Sequence, residues 1–346
     1  MALNQNKPAQ STLDDIARKL NVTKVTVSKA LRDHPDISLE TKEKVKTVAR
    51  ELGYTPNFIA RSLSLRRSGT IGVVVPKIAH HFFSTAVETI YDSALQNSYE
   101  VILMLSQENA QREALHIQTL LSMRVDGLLI SLSKETKDLS LLEAVKKSGL
   151  PTVLFDRVVE KPEFSTVTTD DEEGAFSIIE HAIHCGYRKI AHLAGYSHTS
   201  IGRLRRSGFE KAMMKHDIPM HPEWIIEGGF AEEDGYHAFM NIYHSKNLPE
   251  IIFAVTYPVA LGIFSAAREK KIAIPEDLDV ICIGGSNYNK YICPTITCID
   301  QPVQEIGKQA ISILLDNVMN PGQNRIQKIK IPGRLFLGDT CRKKSA

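Results

Sequence analysis

Several residues in the C-terminal three quarters of the chain could bind a small polar ligand. They are aromatic, acidic, arginine or amide side chains that follow apolar, strand-like runs or stand in the loops beyond them. Aromatic faces together with a carboxylate and a guanidinium suit a small polar ring or a sugar. The candidates are Phe82, Phe83, Asp156, Arg157, Arg203, Arg205, Arg206, Phe230, Tyr257, Ser286 and Asn287.

The short motifs of common catalytic sites are absent from the sequence. It contains no GxxxxGKS/T, no GxGxxG after a strand, no HExxH and no GxSxG. The adjacent His80 and His81 point in different directions, and no third metal ligand stands at a useful spacing. The acidic run 170–173 indicates the start of a helix, where negative charge suits the helix dipole. We therefore expect no enzymatic activity, no metal and no cofactor.

Composition indicates a folded protein with more than one domain. The 346 residues are 43% hydrophobic and 24% charged, near the averages of globular proteins. No apolar run reaches the length of a membrane span, and the first ten residues lack the apolar stretch of a secretory signal. The five cysteines show no CxxC and no Cys/His ligand spacing. We expect a cytoplasmic protein with no membrane partner and with reduced, mostly buried thiols.

Positive charge is concentrated in the first fifth of the chain. Residues 1–69 hold 13 Lys and Arg against 7 Asp and Glu, whereas the remainder holds 29 against 33. This asymmetry favours a polyanionic partner for the N-terminal part alone. The alternative, in the absence of a motif, is a solvated basic face.

Three short amphipathic helices are predicted within residues 12–52. Thr12 begins a capping-box pattern ahead of the first helix. Thr23 can cap the second helix and Ser38 the third, which Gly53 ends. Because only three residues separate the first two helices, the pattern predicts a helix-turn-helix.

The second of these helices presents short or cationic side chains on its outward face, as a helix in a major groove requires. Lysine can donate to guanine O6 and N7, and valine can contact a thymine methyl group. We expect Lys24, Val25 and Lys29 to reach base edges, with Thr26 and Ser28 nearer the DNA backbone. Many three-helix bundles bind no nucleic acid, so this part alone leaves that alternative open.

A linker follows, with a proline turn, one or two possible helical turns over residues 57–63, and basic residues. An isolated helix this short is marginal in water. We therefore expect the linker to fold only when DNA and a second chain support it.

From residue 70 onward, apolar β-rich runs alternate with segments long enough for a helix, which predicts parallel sheets. The runs fall into two sets, which indicates two α/β lobes with a cleft between them. Ligands of such sheets bind outside the carboxyl ends of the strands. The runs are TIGVVVP, EVILML, DGLLIS and PTVLFD, then KIAHLAG, EIIFAV, LDVICIGG and TITCID.

Taken together, these motifs resemble the lactose-repressor (LacI/GalR) family of bacterial transcriptional regulators. The segments TLDDIARKLNVTKVTVSKAL and ISLETKEKVKTVARELGYTPNFIARSL carry the resemblance, which runs through most of the chain. It implies an all-α helix-turn-helix domain and an α/β, two-lobed body like periplasmic binding proteins, with two parallel doubly wound sheets. The expected bounds are 1–54 for the head, 55–69 for the hinge helix and linker, and 70–346 for the body. Within the body, the expected N-lobe comprises about 70–166 and 300–328, and the expected C-lobe about 167–299 and 329–346.

The resemblance also implies roles for individual residues. Leu63 matches the wedge residue of a hinge helix that pairs with its dimer mate in the minor groove, where it unstacks a base step. The positions that match family effector contacts are Phe82, Phe83, Asp156, Arg205, Phe230 and Ser286, with Arg205 foremost. The predicted DNA-binding residues are Thr12, Lys24, Val25, Thr26, Ser28, Lys29, Tyr54, Asn57, Arg61 and Leu63.

Three departures from the family pattern bear on specificity. Lys29 stands where the family usually has arginine, which affects the base preference. Thr256-Tyr257 replaces the usual Asn-Asp, and Ser286-Asn287 replaces a usual Asp pair. We therefore expect the C-lobe side of the cleft to have lost carboxylates, which leaves room for an anionic, aromatic or unusually large effector.

The predicted function is sequence-specific transcriptional regulation, by family default repression, under the control of a small carbohydrate-derived effector bound between the lobes. Because one helix-turn-helix contacts few base pairs, we expect a homodimer on a palindromic double-stranded operator. We expect the effector to change the angle between the lobes. This angle in turn would set whether the hinge segments of the two chains can meet. The alternatives are a regulator that responds to a nucleobase or other non-sugar ligand, and a non-enzymatic sugar-binding α/β protein whose head binds another protein.

Overall fold

The chain forms two units that separate between Ser68 and Gly69 in a computed structural model. No helix among the described residues is long and apolar enough to cross a membrane. Five predicted site residues, Asn57, Arg61, Leu63, Ser286 and Asn287, lie outside the described residues. The structure describes residues 11–55, 67–159, 161, 163–285, 289–322 and 325–344.

Within its described residues, the first unit contains three helices, α1 (Leu13–Leu20), α2 (Lys24–Leu31) and α3 (Leu39–Glu51). Apolar side chains from all three meet in one small core around the fully buried Ile16 and Val27. The predicted helix-turn-helix is confirmed.

Local hydrogen bonds set where these helices begin. The Thr12 backbone N–H and hydroxyl donate to the Asp15 carboxylate at 2.9 and 2.8 Å, as in a capping box. The Thr23 hydroxyl accepts from the Thr26 N–H at 3.1 Å, and the Ser38 hydroxyl accepts from the Thr41 N–H at 3.2 Å. Each cap lies within three residues of its partner, so the sequence alone is sufficient to predict it.

The N-lobe of the second unit is a six-stranded, fully parallel sheet covered by helices on both faces. Its elements are β1 (Thr70–Val75), α4 (His81–Gln96), β2 (Glu100–Leu105), α5 (Ala110–Ser122), β3 (Gly127–Ile130), α6 (Ser140–Ser148), β4 (Thr152–Phe155), β5 (Ser165–Thr169), α11 (Val303–Met319) and β11 (Lys328–Ile331). The strand order is β11-β5-β4-β3-β1-β2.

The C-lobe has a second six-stranded sheet, in which five strands are parallel. Its elements are α7 (Asp171–His184), β6 (Ile190–Gly195), α8 (Ser200–Lys215), β7 (Ile225–Gly228), α9 (Glu232–His244), β8 (Ile251–Ala254), α10 (Tyr257–Glu269), β9 (Asp279–Ile283), β10 (Thr297–Asp300) and β12 (Arg334–Phe336). The order is β12-β10-β9-β8-β6-β7, with β12 antiparallel to β10.

All eight predicted strands are present, but β5, β7, β11 and β12 were not predicted. The sequence of β5, STVTT, is too polar to indicate a buried strand, yet pairing with β4 and β11 on its two sides buries all five residues. The two N-lobe segments therefore end at residues 169 and 331, with strands β5 and β11. The expected ends were about 166 and 328. The predicted pair of parallel sheets is confirmed, and β12 adds one antiparallel strand at the edge of the C-lobe sheet.

The chain crosses between the lobes three times, next to residues 170, 302 and 332. The crossing segments are hydrogen-bonded to one another. The Asp170 N–H donates to the Ile331 carbonyl at 2.9 Å, and the Gln301 side chain donates to the Thr169 hydroxyl at 2.9 Å. Each lobe is therefore built from discontinuous parts of the sequence.

The N-lobe core depends on the later of these parts. Helices α4 and α11 cover one face of the sheet, where Ile90, Ile306 and Leu314 are fully buried. Helices α5 and α6 cover the other face, with Leu120 and Val145 fully buried. Both faces are apolar, as expected for a parallel sheet between helices.

Candidate functional site

The outward face of α2 carries the residues predicted to reach base edges. Val25 is 63% exposed. Lys24 Nζ lies 2.8 Å from Asp14, and Lys29 Nζ lies 2.7 Å from Asp36. Ion pairs this exposed contribute little to stability. Both ammonium groups can therefore leave these carboxylates for another anionic partner at a small cost in free energy.

The remaining predicted DNA contacts of this unit are engaged locally. The Thr26 hydroxyl lies 2.9 Å from that of Thr23, and the Ser28 hydroxyl accepts from Arg32 at 3.2 Å. Thr12 caps α1, and Tyr54 is half-buried against the core of the three helices. The structure thus gives Thr12 and Tyr54 a part in holding the helices, whereas Lys24, Val25 and Lys29 have none in the core.

A cavity of about 450 Å³ lies between the two lobes of the second unit. Seven of the eleven candidate residues line it, and two more, Ser286 and Asn287, lie outside the described residues. Arg203 and Arg206 do not line it. The N-lobe contributes Phe82, Phe83, Asp156 and Arg157, and the C-lobe contributes Arg205, Phe230 and Tyr257.

Arg157 extends from the N-lobe wall to an aromatic ring of the opposite lobe. Its guanidinium carbon lies 4.6 Å from the centre of the Phe230 ring, close enough for a cation–π contact. Its Nη1 donates to both carboxylate oxygens of Glu108 at 2.8 Å. Among the described residues, no acceptor lies within hydrogen-bond distance of the buried Arg157 Nε. A buried donor in this state costs free energy that an acceptor on a ligand would recover.

Arg205 also lines the cavity, but its donors are occupied within the C-lobe. Nε and Nη2 lie 2.8 and 2.7 Å from one oxygen of Asp171, and Nη1 donates to the Val255 carbonyl at 2.5 Å. Both side chains of the ion pair are 2% exposed. A glycine allows this approach, because a Cβ at Gly208 would lie 2.2 Å from the Glu172 carbonyl oxygen. Arg205 therefore fixes α7 against α8 at the cavity wall.

Asp156 follows β4 with a φ of +59°, a left-handed conformation that is strained for a non-glycine residue. Its carboxylate accepts from the Ser131 hydroxyl at 3.3 Å and lies 3.9 Å from Arg157 Nε. Burial raises the pKa of Asp156 to about 6, against the opposing effect of Arg157. A strained backbone and a raised pKa at the end of a strand are typical of a functional position.

Tyr257 is buried at the C-lobe side of the cavity, where its hydroxyl donates to Asn289 at 3.4 Å. Burial raises the pKa of Tyr257 to about 12. The phenol is therefore a neutral hydrogen-bonding group near pH 7.

Thr256 and Tyr257 bring no carboxylate to the cavity, but other residues of the C-lobe side do. Glu232, the first residue of α9, and Asp300, the last residue of β10, both line the cavity and are exposed to it. Asp300 ends the run TITCID, so the rule that ligand groups follow strands would have found it. Nothing comparable in the sequence marks Glu232.

His80 and His81 also line the cavity and were not predicted to bind an effector. Burial lowers the pKa of His80, so its imidazole is neutral near pH 7. His81 Nδ1 lies 3.2 Å from the Thr85 hydroxyl one turn along α4. The His80 ring can thus contribute a neutral polar edge to the site, and the His81 ring a further polar group.

A helix-turn-helix unit and a two-lobed unit with a cavity between its lobes together define a DNA-binding regulator with an effector-binding body. A family model described as bacterial regulatory proteins, lacI family, matches residues 12–57, and one described as a periplasmic binding protein-like domain matches residues 179–341.

Relatives and solved structures cover the whole architecture. The chain is 30% identical over 332 residues to the HTH-type transcriptional repressor PurR of Haemophilus influenzae (strain PittEE), covering 94% of this chain and 97% of that protein. It matches the structure of a Lac repressor dimer bound to operator and the anti-inducer ONPF, with TM-score 0.85, 26% identity, and coverage of 96% and 99%. A LacI family regulator from Enterococcus faecium with bound ribose matches with TM-score 0.70, 26% identity, and coverage of 80% and 100%.

The chain belongs to the lacI family of bacterial regulatory proteins. It is a DNA-binding transcriptional regulator with an effector-binding domain, as its relatives are, and the resemblance seen in the head and linker motifs is confirmed.

Proposed function

We propose that the protein represses transcription as a homodimer on a palindromic operator and that an effector bound between its lobes controls this binding. The observation that carries the proposal is the outward face of α2, where Lys24, Val25 and Lys29 stand on a well-capped helix without a role in the core. The solved Lac repressor is a dimer on its operator, which supports the same assembly here. Such binding places the protein with the DNA, in the cytoplasm.

Each half of the dimer would place α2 in a major groove. Lys24 and Lys29 would donate to guanine O6 and N7, and Val25 would contact a thymine methyl group. Asn57, Arg61 and Leu63 of the linker would contact the adjacent minor groove, with Leu63 as the wedge. Thr12, Thr26, Ser28 and Tyr54 would contact the DNA backbone.

The effector would be a small carbohydrate or carbohydrate derivative. The carboxylates of Asp156, Glu232 and Asp300 can accept from sugar hydroxyls, the free Nε of Arg157 can donate to a ring or hydroxyl oxygen, and aromatic faces border the cavity. The related regulator with bound ribose supports this class of ligand.

Control would act through the lobe angle. Because Arg157 of one lobe contacts Phe230 of the other beside the cavity, a ligand there meets groups from both lobes at once. It would shift the equilibrium between lobe arrangements by its difference in affinity for them. The linkers of two chains would then meet in only one arrangement.

The DNA-binding half is tested by selecting bound sites from random-sequence DNA, followed by titration of the selected site with variants. We expect a palindrome for the wild type, and a loss of about 10- to 100-fold in affinity for Lys29→Ala, because one base contact is worth about 1–3 kcal/mol. Lys44→Ala is the control, since Lys44 also forms an exposed ion pair, with Glu40, but on α3 and not on α2. Its affinity should change little. Failure to enrich any palindrome at any salt concentration would contradict the proposal.

The effector-binding half is tested by thermal shift against sugars, sugar phosphates and nucleobases. We expect a carbohydrate to raise the unfolding temperature and to change operator affinity in the same concentration range. Stabilisation by nucleobases alone would replace the carbohydrate assignment. If no compound of the three classes stabilises the protein, the carbohydrate assignment is wrong.

A further inference from the structure

Three metal-ligating side chains meet on the C-lobe, on elements other than those that line the cavity. His181 Nε2 lies 3.6 Å from Cys185 Sγ, and one ring nitrogen of His181 and the Sγ atoms of Cys185 and Cys341 all lie within 4.8 Å of one another. Cys341 is 4% exposed, while His181 and Cys185 are half-buried. Within the part of the chain that the structure describes, this is the one convergence of three or more His, Cys, Asp or Glu ligand atoms.

The fold brings these residues together from two distant segments. His181 and Cys185 are four residues apart at the end of α7, and this spacing places side chains on one helix face. The C-terminal segment adds Cys341, whose N–H donates to the Asp279 carboxylate at 2.7 Å. Farther along, the Lys344 N–H donates to the Cys185 carbonyl at 2.9 Å. The expectation of no Cys/His ligand spacing overlooked His181 and Cys185, and nothing in the sequence brings the distant Cys341 to them.

The backbone at Cys341 is held in an unfavourable conformation. Its φ is +61°, in the left-handed region that a cysteine rarely adopts. Such conformations cost roughly 1–3 kcal/mol and persist where the surroundings fix them, often at ligand sites. Here the conformation accompanies the placement of a buried thiol beside Cys185 and His181.

The spacing fits a tetrahedral zinc ion. Zn–S and Zn–N bonds of about 2.3 and 2.0 Å at tetrahedral angles place N and S about 3.6 Å apart and two S atoms about 3.8 Å apart. The observed N–S distance matches this value, and the 4.8 Å limit means that closure onto an ion needs a movement of about 1 Å or less.

Burial acts on the imidazole and on the thiol of this cluster in opposite ways, since it favours a neutral, ligating ring but opposes loss of the thiol proton. Burial, and then the nearby His184, lower the pKa of His181, which leaves its ring neutral and able to ligate. Burial raises the pKa of the Cys341 thiol. The thiol therefore keeps its proton until a cation replaces it. Two thiolates and one neutral imidazole would balance the two positive charges of Zn²⁺.

We infer that His181, Cys185 and Cys341 form a zinc-binding site that fastens the C-terminal segment to α7, with a water molecule as the fourth ligand. Binding breaks two S–H bonds, forms two Zn–S bonds and one Zn–N bond, and releases two protons to solvent. Because His181 and Cys185 are half-buried, the ion can enter from solvent. The proposal does not depend on the effector or the operator.

Cobalt absorption provides the test on the full-length, tag-free protein, reduced and stripped of metal with a chelator. We expect one Co²⁺ per chain with a thiolate-to-cobalt charge-transfer band, its displacement by Zn²⁺, and release of about two protons per ion at pH 7. Cys185→Ser and Cys341→Ser should each remove most of the band. Cys293→Ser is the control, because Cys293 is exposed and outside the cluster, and it should leave the band unchanged.

His181→Gln keeps both thiols and serves if a cysteine variant fails to fold. It should weaken Co²⁺ binding by more than about tenfold. Zinc at a hundredfold excess over its Kd should raise the unfolding temperature of the wild type by about 5 °C or more and that of His181→Gln much less. The inference is overturned if the reduced wild type takes up no stoichiometric cobalt, if the Cys185→Ser/Cys341→Ser double variant gives the same band, or if the two thiols only form a disulfide in air.

Discussion

The two walls of the interlobe cavity each carry a buried arginine, and the two arginines are held in different ways. On the C-lobe wall, three nitrogens of Arg205 are bound by Asp171 and Val255 of the same lobe. On the N-lobe wall, Arg157 keeps Nε without an acceptor among the described residues and lies on Phe230 of the other lobe. Burial and charge are the same for both. The two arginines differ in how many of their N–H donors are already hydrogen-bonded. Arg205 therefore stabilises the cavity wall, whereas Arg157 retains a donor that a ligand could use.

The strongest test of this comparison is Arg205→Met, which leaves Asp171 buried without its partner. We expect a loss of about 3–5 kcal/mol in the free energy of unfolding of the two-lobed unit. Because burial already raises the pKa of Asp171, the loss should be larger at pH 8 than at pH 5. Denaturant unfolding measures it. Arg206→Met is the control, since Arg206 forms a half-exposed pair with Glu210 and should cost about 1 kcal/mol or less. Similar losses in both variants would end the structural assignment of Arg205.

A second test uses the carboxylate beside Arg157. The folded protein holds the Asp156 proton up to about pH 6, whereas the unfolded chain releases it near pH 4. This group therefore favours folding most below about pH 4, and its contribution falls as pH rises to about 6, by up to about 3 kcal/mol.

Asp156→Asn should remove that dependence, so the difference in unfolding free energy between wild type and variant should change across pH 4 to 7. Urea unfolding at four pH values measures it. Asp138→Asn is the control, because hydrogen bonds from Ser140 lower the pKa of Asp138, which gives any dependence the opposite sign. A wild-type and an Asp156→Asn curve that run parallel would show that the carboxylate does not titrate in this range.

The third test asks whether the free donor of Arg157 serves the ligand. Arg157→Lys keeps a positive charge for Glu108 but lacks Nε–H and the planar guanidinium. We expect effector affinity to fall about tenfold or more, since a hydrogen bond from a charged donor is worth about 1.5–3 kcal/mol. Calorimetry with the effector from the thermal-shift screen measures it, with Arg206→Lys as the control. If Arg157→Lys binds the effector as tightly as the wild type does, then Nε of Arg157 has no part in binding the ligand.

The smallest effect concerns the contact between the lobes. Phe230→Leu keeps an apolar side chain but removes the ring face below the Arg157 guanidinium. A double-mutant cycle with Arg157→Met should give a coupling of about 1 kcal/mol. The same cycle with Phe239→Leu, a fully buried ring of the same lobe, should give none. Coupling near zero for Phe230 would show that proximity alone, and not attraction, joins these two side chains.

The sequence predicted most of the fold because the signals are local or strongly apolar. The caps Thr23 and Ser38 act within three residues, and runs such as TIGVVV can only form buried strands. The strand β5 was missed because its burial comes from β4 and β11, and β11 lies more than 150 residues away along the chain. The local sequence of β5, four polar residues and one valine, gives no sign of pairing at that distance.

The candidate site was predictable as a set of residues but not as a set of contacts. Seven candidates line the cavity because strand ends mark its edge. The state of Arg205 depends on Asp171, 34 residues earlier, and on a carbonyl 50 residues later. The carboxylate at Glu232 was overlooked because the comparison with the family considered only the positions at 256–257 and 286–287.

The three crossings between the lobes also have a consequence for synthesis on the ribosome. One face of the first sheet is covered by α11, and its edge is paired by β11, so residues 303–331 must emerge before the N-lobe can close. The lobe translated first therefore stays incomplete until almost the whole chain has been made, and until then it exposes the apolar surface that Ile306 and Leu314 will cover. Such surface favours aggregation and chaperone binding. A stop codon near residue 300 would consequently spare much of the C-lobe sheet and leave the distant N-lobe unfinished.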